Sequence, residues 1–528
     1  MEIKNINNIP ADKFKFANNT DNLHDKKLDT KPVSFMQDAW RRFRKNKGAV
    51  VGAIVITMLV LFAIIAPFCT PYQPSYSEQI FSYAAPKLPI FVNSGIDFWD
   101  GCRDKVNANY LTYITDYALG LETGKEVIKR GDVTKNEDGS YTYRYDTYYG
   151  IGFGQYKQIT PEKYADIQRY QNETGRQVLY PIVKFSDRPK AETLKNDANI
   201  YYVVENPNAT VVRPKLDKNG NIINNYWKYE EGSLPGLAVD YNSIRIEGED
   251  GITEDGKTYY YVYGRTLTGT IEVRADNYEY NIYEHTQEKK DGIGEPMFYF
   301  GATGDGKDIF ACLSYGARFS FLFALLVAIA NLLVGVIWGS ISGYYGGKID
   351  MAMERFVEIL GAIPTMIVIT LLKYHMGSTS QSVVLFIAFF ATGWIGMAGR
   401  TRMQFYRFKN QEYVLTARTL GARDRRIMFK HIFPNAIGTL VTSCALIIPS
   451  MIYSETSLSY LGIVNLESGN TTSVGTLIAA GQAAVTIDGA GYVIFFPCAF
   501  LILLMLSFNL FGNGLRDAFN PSLRGTEE

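Results

Sequence analysis

The stretch nearest to a known chemistry is Gly301-Ala-Thr-Gly-Asp-Gly306-Lys307-Asp308. It almost matches G-x-x-x-x-G-K-[ST], the spacing that wraps backbone N–H groups around a phosphate. That chemistry needs a Ser or Thr hydroxyl on magnesium, and Asp308 stands there instead. ATP binding is not expected at this loop. His24, His285, His375 and His431 are scattered without ligand spacing, and the five cysteines include no C-x-x-C pair; no metal site is expected. No Ser/His/Asp or Cys/His set stands out, so neither catalytic residues nor a bound cofactor are assigned.

What remains is docking chemistry, in the basic stretch 399–435. It holds nine cations: Arg400, Arg402, Arg407, Lys409, Arg418, Arg423, Arg425, Arg426 and Lys430. Its middle carries Glu412, Thr416, Ala417, Gly421, Arg423, Asp424, Arg425, Phe429 and Pro434. Gly421 falls between two helical patterns, where a small residue permits a sharp turn. Pro434 is expected to close the second pattern just before the next apolar run. A charged helix–Gly–helix of this kind suits a partner protein. The alternative is a solvated basic loop that only fixes topology.

The elements that must position this loop are hidden by averages. The chain has 528 residues with 53 Lys+Arg against 53 Asp+Glu, and its mean hydropathy is near zero. Neutrality argues against a nucleic-acid partner. Divided by region, residues 1–72 carry net +5, residues 73–300 net −8, and residues 301–528 net +3. Residues 1–33 are polar and aperiodic and read as a disordered cytoplasmic tail. Ser34 and Gln37 form a capping-box pattern, followed by a basic amphipathic helix. Its apolar residues Phe35, Met36, Ala39, Trp40 and Phe43 share a face, which suits a membrane–water interface.

Six apolar runs follow, at 49–68, 319–341, 356–372, 383–398, 436–454 and 492–510. About 20 apolar residues cross the ~30 Å hydrocarbon core. Cations crowd the region before the first run and between the fourth and fifth; none lies between the fifth and sixth. Both termini and the basic loop are therefore expected in the cytoplasm, and residues 69 to about 315 outside. That placement also removes the Gly301 loop from cytoplasmic ATP.

The outward segment carries 28 of the 37 tyrosines by residue 300. Runs such as Tyr141-Thr-Tyr-Arg-Tyr145 and Tyr259-Tyr-Tyr-Val-Tyr263 favour strands, separated by turns at Asp138-Gly139, Asn219-Gly220, Asp250-Gly251 and Asp255-Gly256. One β-rich or α+β extracytoplasmic domain is expected over 75–299. Cys69 and Cys102 both fall outside, where a disulfide is open to them. Asn172-Glu173-Thr174 and Asn208-Ala209-Thr210 match a glycosylation pattern that is frequent by chance.

At the basic loop the sequence resembles a known family. Thr416-Ala417, Gly421 and Phe433-Pro434 look like the "EAA" loop of ABC-importer permeases. Gln37-Asp-Ala-Trp-Arg-Arg-Phe-Arg-Lys-Asn46, Ser314-Tyr-Gly-Ala-Arg318, Gly343-Tyr-Tyr-Gly-Gly347, Ser457-Leu-Ser-Tyr-Leu-Gly462 and Asn509-Leu-Phe-Gly-Asn-Gly-Leu-Arg-Asp517 resemble the C-type permease of oligopeptide and dipeptide importers. The family's segment before its second span also accounts for the false phosphate loop. The resemblance covers 34–74 and 300–525, about half the chain. Two features depart from it: Leu415 stands at the usual Glu of the loop, and the roughly 225-residue insert replaces a short connection.

The resemblance implies an α-helical polytopic membrane protein with six transmembrane helices in the ABC-importer permease fold. An elbow helix and first span would occupy 34–74, and the permease core 300–528. Such a subunit hydrolyses no ATP. It would pair with a homologous second permease above two cytoplasmic ATPase subunits, which bind ATP and magnesium. A substrate-binding lipoprotein would deliver peptide from outside, and the whole would sit in a bacterial plasma membrane in contact with lipid. The loop residues named above would couple to the ATPases. Polar Asn331 and Glu455 are candidates to line the pathway, with bonding between neighbouring helices as the alternative. The rival functions are a membrane-anchored receptor or scaffold working through its ectodomain, and an ectoenzyme. The cytoplasmic parts are too short for a sensor's output domain, and no compact catalytic motif supports an enzyme.

Overall fold

The computed structural model describes residues 35–92, 97, 99–129, 133–151, 153–180, 227–228, 245–246, 252–254, 257–259, 264–265, 271–377 and 379–519. The expected tail 1–33, the Ser34 cap, Asn208, all three turn signals beyond 180 and residues 260–263 of the tyrosine run lie outside these residues. Helix α1 (Phe35–Lys45) is followed at once by α2 (Lys47–Ile65), whose first turn is capped by the Asn46 side chain accepting from Ala49 N–H at 3.1 Å. With the short turn after it, the run Lys47–Phe68 is long and apolar enough to cross a membrane. The apolar face of α1 divides: Ala39 and Phe43 are buried against Phe511 and Ala518, whereas Trp40 is 61% exposed. Protein, not only lipid, covers this helix.

The described part of the insert is α+β. Strands β1 (Cys102–Ala108), β2 (Thr134–Lys135) and β3 (Tyr141–Asp146) form an antiparallel sheet in the order β1-β3-β2. Helix α3 (Tyr110–Thr123) lies between the first two, and Tyr113 stacks on Tyr141 at 4.5 Å. A second sheet joins β4 (Phe153–Ile159) and β5 (Leu179–Tyr180) to a late strand, with α4 (Pro161–Thr174) between them. Short pairs β6 (Trp227–Lys228) with β7 (Arg245–Ile246) and β8 (Ile252–Glu254) with β9 (Lys257–Tyr259) precede β10 (Gly264–Arg265), which pairs with the late strand β11 (Ile271–Asp276). Helix α5 (Asn277–Tyr283) runs on into a π-helical segment, Glu284–Lys289, late in the insert. Its tyrosines serve chiefly as packing: Tyr148 and Tyr278 share one cluster with Tyr72, Phe81, Phe298 and Ala311. The insert thus packs onto the first residues of the following span. Cys69 is exposed, Cys102 buried, and both are free thiols, so the open disulfide is not formed.

Helix α6 (Ile309–Tyr345) has 37 residues, about 55 Å at 1.5 Å each, well beyond the hydrocarbon core. Asn331, Gly335, Gly339 and Gly343 recur every fourth residue along it, so they form one stripe. Helix α9 (Gln381–Phe408) presses its backbone into that stripe. A Cβ at Gly335 would lie 2.9 Å from Trp394 O, and one at Gly343 would lie 2.7 Å from Arg402 O. Small residues let membrane helices approach this closely.

The run at 356–372, expected as one span, is broken. It divides into α7 (Gly347–Gly361) and α8 (Thr365–His375), bent by 70° across the break. Pro364 supplies the reason, because it has no N–H to continue the ladder and restricts the residue before it. The next span, α9 (Gln381–Phe408), is longer than its apolar run.

After α10 (Glu412–Thr419) the chain turns into α11 (Asp424–Arg426), a π-helical segment Ile427–Ile432 and α12 (Phe433–Tyr460), which together form one continuous 37-residue helix. Pro434 therefore does not close the second helical pattern. It sits in the first turn of α12, and the wider π turn before it accommodates a residue lacking an N–H. Helix α13 (Val474–Ala484) was not expected from the sequence; it is apolar but, at 11 residues, too short to span. Helix α14 (Tyr492–Phe519) completes the core. Five helices are long and apolar enough to cross a membrane, or six if the bent pair counts as one. Residues of α2, α6, α12, α13 and α14 share the principal buried cluster.

Candidate coupling surface and buried polar groups

The basic loop is a folded structure. In α10, Val414 and Ala417 face inward and Glu412, Leu415 and Thr416 outward. Val414 packs with Phe405, Ile427, Met428, Ile432 and Tyr344, the last near the end of α6. Thr416 Oγ1 donates to the Glu412 carbonyl at 2.9 Å. Leu420 N–H then donates to Thr416 O, and Ala422 N–H to Ala417 O, both at 3.0 Å. Gly421 between them has φ +79°, a left-handed conformation costly for any residue with a Cβ. The chain is thereby reversed into Asp424.

Of the residues singled out from sequence, Glu412, Thr416, Gly421, Arg423, Asp424, Arg425, Phe429 and Pro434 are exposed here and Ala417 is buried. Two larger contributors escaped that reading. Leu420 is 82% exposed at the tip, and Leu415 and Phe429 are also uncovered. Exposed apolar groups ringed by Arg418, Arg423 and Arg425 suit a protein partner. The signal was present as leucines in an otherwise charged loop. The second contributor is Tyr344, whose hydroxyl donates to Asp424 Oδ1 at 2.6 Å and whose ring lies 5.8 Å from the Arg418 guanidinium carbon. It joins the loop to α6.

An ionic cluster reinforces the same end of the bundle. Arg402 Nε and Nη2 donate to the two oxygens of Asp350 at 2.6 and 2.7 Å, Tyr406 OH donates at 2.5 Å, and Ser342 Oγ also bonds this carboxylate. Lys409 Nζ donates to Gly343 O at 3.1 Å. A bidentate guanidinium fixes orientation as well as charge, so the ends of α6, α7 and α9 are held together.

Asn331 and Glu455 lie inside the chain's own packing. Asn331 is wholly buried in the α6–α9 stripe, and its amide atoms have no hydrogen-bond partner among the described residues. Glu455 of α12 is also buried and accepts from Ser473 at 2.6 Å, Ser459 at 3.1 Å and Ser320 at 3.4 Å. It ties α12 to α6 and to the start of α13. Neither residue faces an open surface of this chain; Glu455 bonds neighbouring helices, whereas Asn331 makes no hydrogen bond among the described residues.

The false phosphate loop has a structural use. Asp308 caps α6, accepting from Phe310 N–H at 3.2 Å, Ala311 N–H at 3.1 Å and the Thr70 hydroxyl at 3.3 Å. Burial pushes its carboxyl up to about 7. Lys307 pairs with Glu467 in the turn before α13.

Comparison with known proteins agrees with this architecture. Residues 335–525 match the model of the binding-protein-dependent transport system inner membrane component. Residues 34–89 match that of the N-terminal transmembrane domain of oligopeptide transport permease C. The oligopeptide transport system permease protein OppC of Bacillus subtilis is 42% identical over 226 residues, 43% of this chain and 72% of that protein. The dipeptide transport system permease protein DppC of the same organism is 37% identical over 226 residues, 43% of this chain and 69% of that protein. A solved MetNI methionine ABC transporter chain is 15% identical, with a TM-score of 0.31 over 40% of this chain and 96% of that one, a likeness too low to assign a fold. These are membrane permease subunits, not enzymes, and this chain belongs to their family, the oligopeptide- and dipeptide-type permeases of binding-protein-dependent ABC importers.

Proposed function

We propose that this chain forms half of a peptide-translocation pathway in a bacterial plasma membrane and couples it to ATP hydrolysed elsewhere. Its termini and the 399–435 loop face the cytoplasm, and residues 69 to about 315 face outward. Two ATPase subunits, binding ATP and magnesium, meet the loop; a homologous permease completes the pathway; a substrate-binding lipoprotein delivers peptide. The observation that carries this is the turn at Gly421. It presents Leu415, Leu420 and Phe429 among cations while Val414, Ala417 and Tyr344 hold its back to the bundle. Movement of the loop reaches α6 through Tyr344 and α9 through the glycine stripe, so the two spans move together. Transport requires that the loop bind the two ATPase states with unequal free energy, since only a differential interaction shifts a conformational equilibrium.

The position and size of the insert support a second role, as a seat for the binding lipoprotein at the outer mouth. Co-purification from native membranes, with identification of bound ATPases and binding protein, followed by uptake of labelled di- to pentapeptides, tests the assignment. Recovery of the chain without any ATPase, or equal peptide uptake in cells lacking the chain, overturns it.

A further inference from the structure

Backbone strain concentrates where the insert meets the last span. Four non-glycine residues of the described chain have positive φ: Tyr83 at 54°, Trp99 at 57°, Asn107 at 55° and Lys290 at 49°. Two of them, Tyr83 and Trp99, touch the start of α14. The Tyr83 carbonyl accepts from Tyr492 OH at 2.7 Å. The Trp99 ring lies 5.9 Å from that of Phe496, and its indole N–H donates to Tyr299 O. Phe300 stacks on the same Phe496 at 4.2 Å, with the rings 8° apart.

A third point lies just before α14. Gly489, at φ +70°, rests on the stem of Arg103, so that a Cβ there would lie 2.9 Å from Arg103 Cδ. Arg103 in turn donates from Nη2 to Tyr145 OH at 2.5 Å, across the β1–β3 pair. The α13–α14 turn thus rests on a strand of the insert, and the first turns of α14 on an aromatic stack. Left-handed L-residues persist only where their surroundings over-determine them.

We propose that the insert and the outer end of α14 move as one rigid body, with Trp99 and Arg103 as positioning residues that pass a load on the insert to the α13–α14 turn. This rests on the chain being an importer permease, and it deepens that assignment. A binding protein seated on the insert would then act on the outer end of the pathway directly, without a flexible linker between them.

The geometry offers a covalent test. A Cβ at Gly489 would lie 3.8 Å from Arg103 Cβ, within the ~3.5–4.5 Å range of a disulfide. The double variant Arg103→Cys, Gly489→Cys, in a background with Cys69→Ser and Cys102→Ser, is assembled into the full transporter. Both forms carry the strain of a Cβ at φ +70°; the reduced form has also lost the Arg103 grip, which a bond replaces in the oxidised form. Formation of the linked peptide is read by mass spectrometry.

In the reduced form, amide exchange over 485–491 is expected to rise about ten-fold and uptake of a radiolabelled tripeptide mixture to fall about five-fold at unchanged half-saturation. Oxidation returns both to within about two-fold of the background chain. Trp99→Ala, which leaves the Gly489 backbone untouched, is expected to raise the same exchange and serves if the double variant does not fold. The proposal is overturned if no disulfide forms, if the reduced form and Trp99→Ala match the background in exchange, or if the oxidised form imports less than the reduced one. Absence of tripeptide uptake by the wild-type chain would instead sink the importer assignment, and the exchange measurement would still decide the rigid-body proposal.

Discussion

Replacing Gly421 by Asn, Ala and Val separates the shape of the coupling turn from its chemistry. Gly421 has φ +79°, and a Cβ placed there meets nothing within 4 Å. The cost of substitution is therefore conformational, with no steric contribution from neighbours. For an L-residue the left-handed region costs about 1–2 kcal/mol, less for Asn and more for a β-branched side chain. At about 1.4 kcal/mol per ten-fold, Ala lowers the fraction of chains holding the native turn by at most ~5- to 30-fold. Nothing in the transmembrane core changes, so chain abundance in the membrane should stay within about two-fold. Peptide uptake and ATPase co-purification, each normalised to chain abundance, are expected to fall together in the order Gly, Asn, Ala, Val. Val equal to Gly, or Asn below Val, would show that the turn is not what the ATPase reads. Asp also tolerates this conformation, so Gly421→Asp measures the effect of a negative charge among the arginines.

Further outcomes follow from other sites. At Gly339 a Cβ would lie 2.7 Å from Thr401 Cβ and 2.9 Å from Arg402 N; Gly339→Ala should cost about 1–3 kcal/mol by forcing α6 from α9. Gly396, on α9 with nothing within 4 Å, is the control: Gly396→Ala should leave the melting temperature in detergent unchanged. Glu455→Ala strands the Ser320 and Ser459 hydroxyls and opens a cavity, for about 2–4 kcal/mol in the same assay. Glu455→Gln keeps an acceptor oxygen and should lose less than half as much; equal losses would mean the hydroxyl contacts do not matter. Asp308 titrates at about 7 in the folded chain, against about 3.9 unfolded. The native state then holds the extra proton between these values, so its contribution to stability is present at low pH and lost as pH rises through about 7. Asp308→Asn, still able to cap α6, should flatten that decline; an unchanged pH profile would refute the assignment.

The coupling turn was legible because its signals are local. Gly421 between two helical patterns marks a reversal whatever surrounds it, and the structure places the reversal there. Pro434 misled for the same reason: local rules make proline a stop, but a preceding π turn lets the helix continue to Tyr460. Hydropathy likewise recorded the apolar content of 356–372 without the 70° bend at Pro364. It passed over α13, whose 11 residues fall below any spanning length.

Asn331 and Glu455 stand out in the sequence because polar groups among apolar residues are costly. Which neighbours meet Glu455 depends on helices distant in the chain, through Ser320 and Ser473. The Asp350–Arg402 pair is 52 residues apart and left no periodic trace.

The sequence by itself determined the apolar runs and the reversal at Gly421, because apolar length and glycine placement are properties of short segments. Only the tertiary structure decided which small residues became the α6–α9 seam, which leucine was left exposed at the loop tip, and how the insert grips α14. Those outcomes depend on which surfaces meet, and one helix does not encode the face of another.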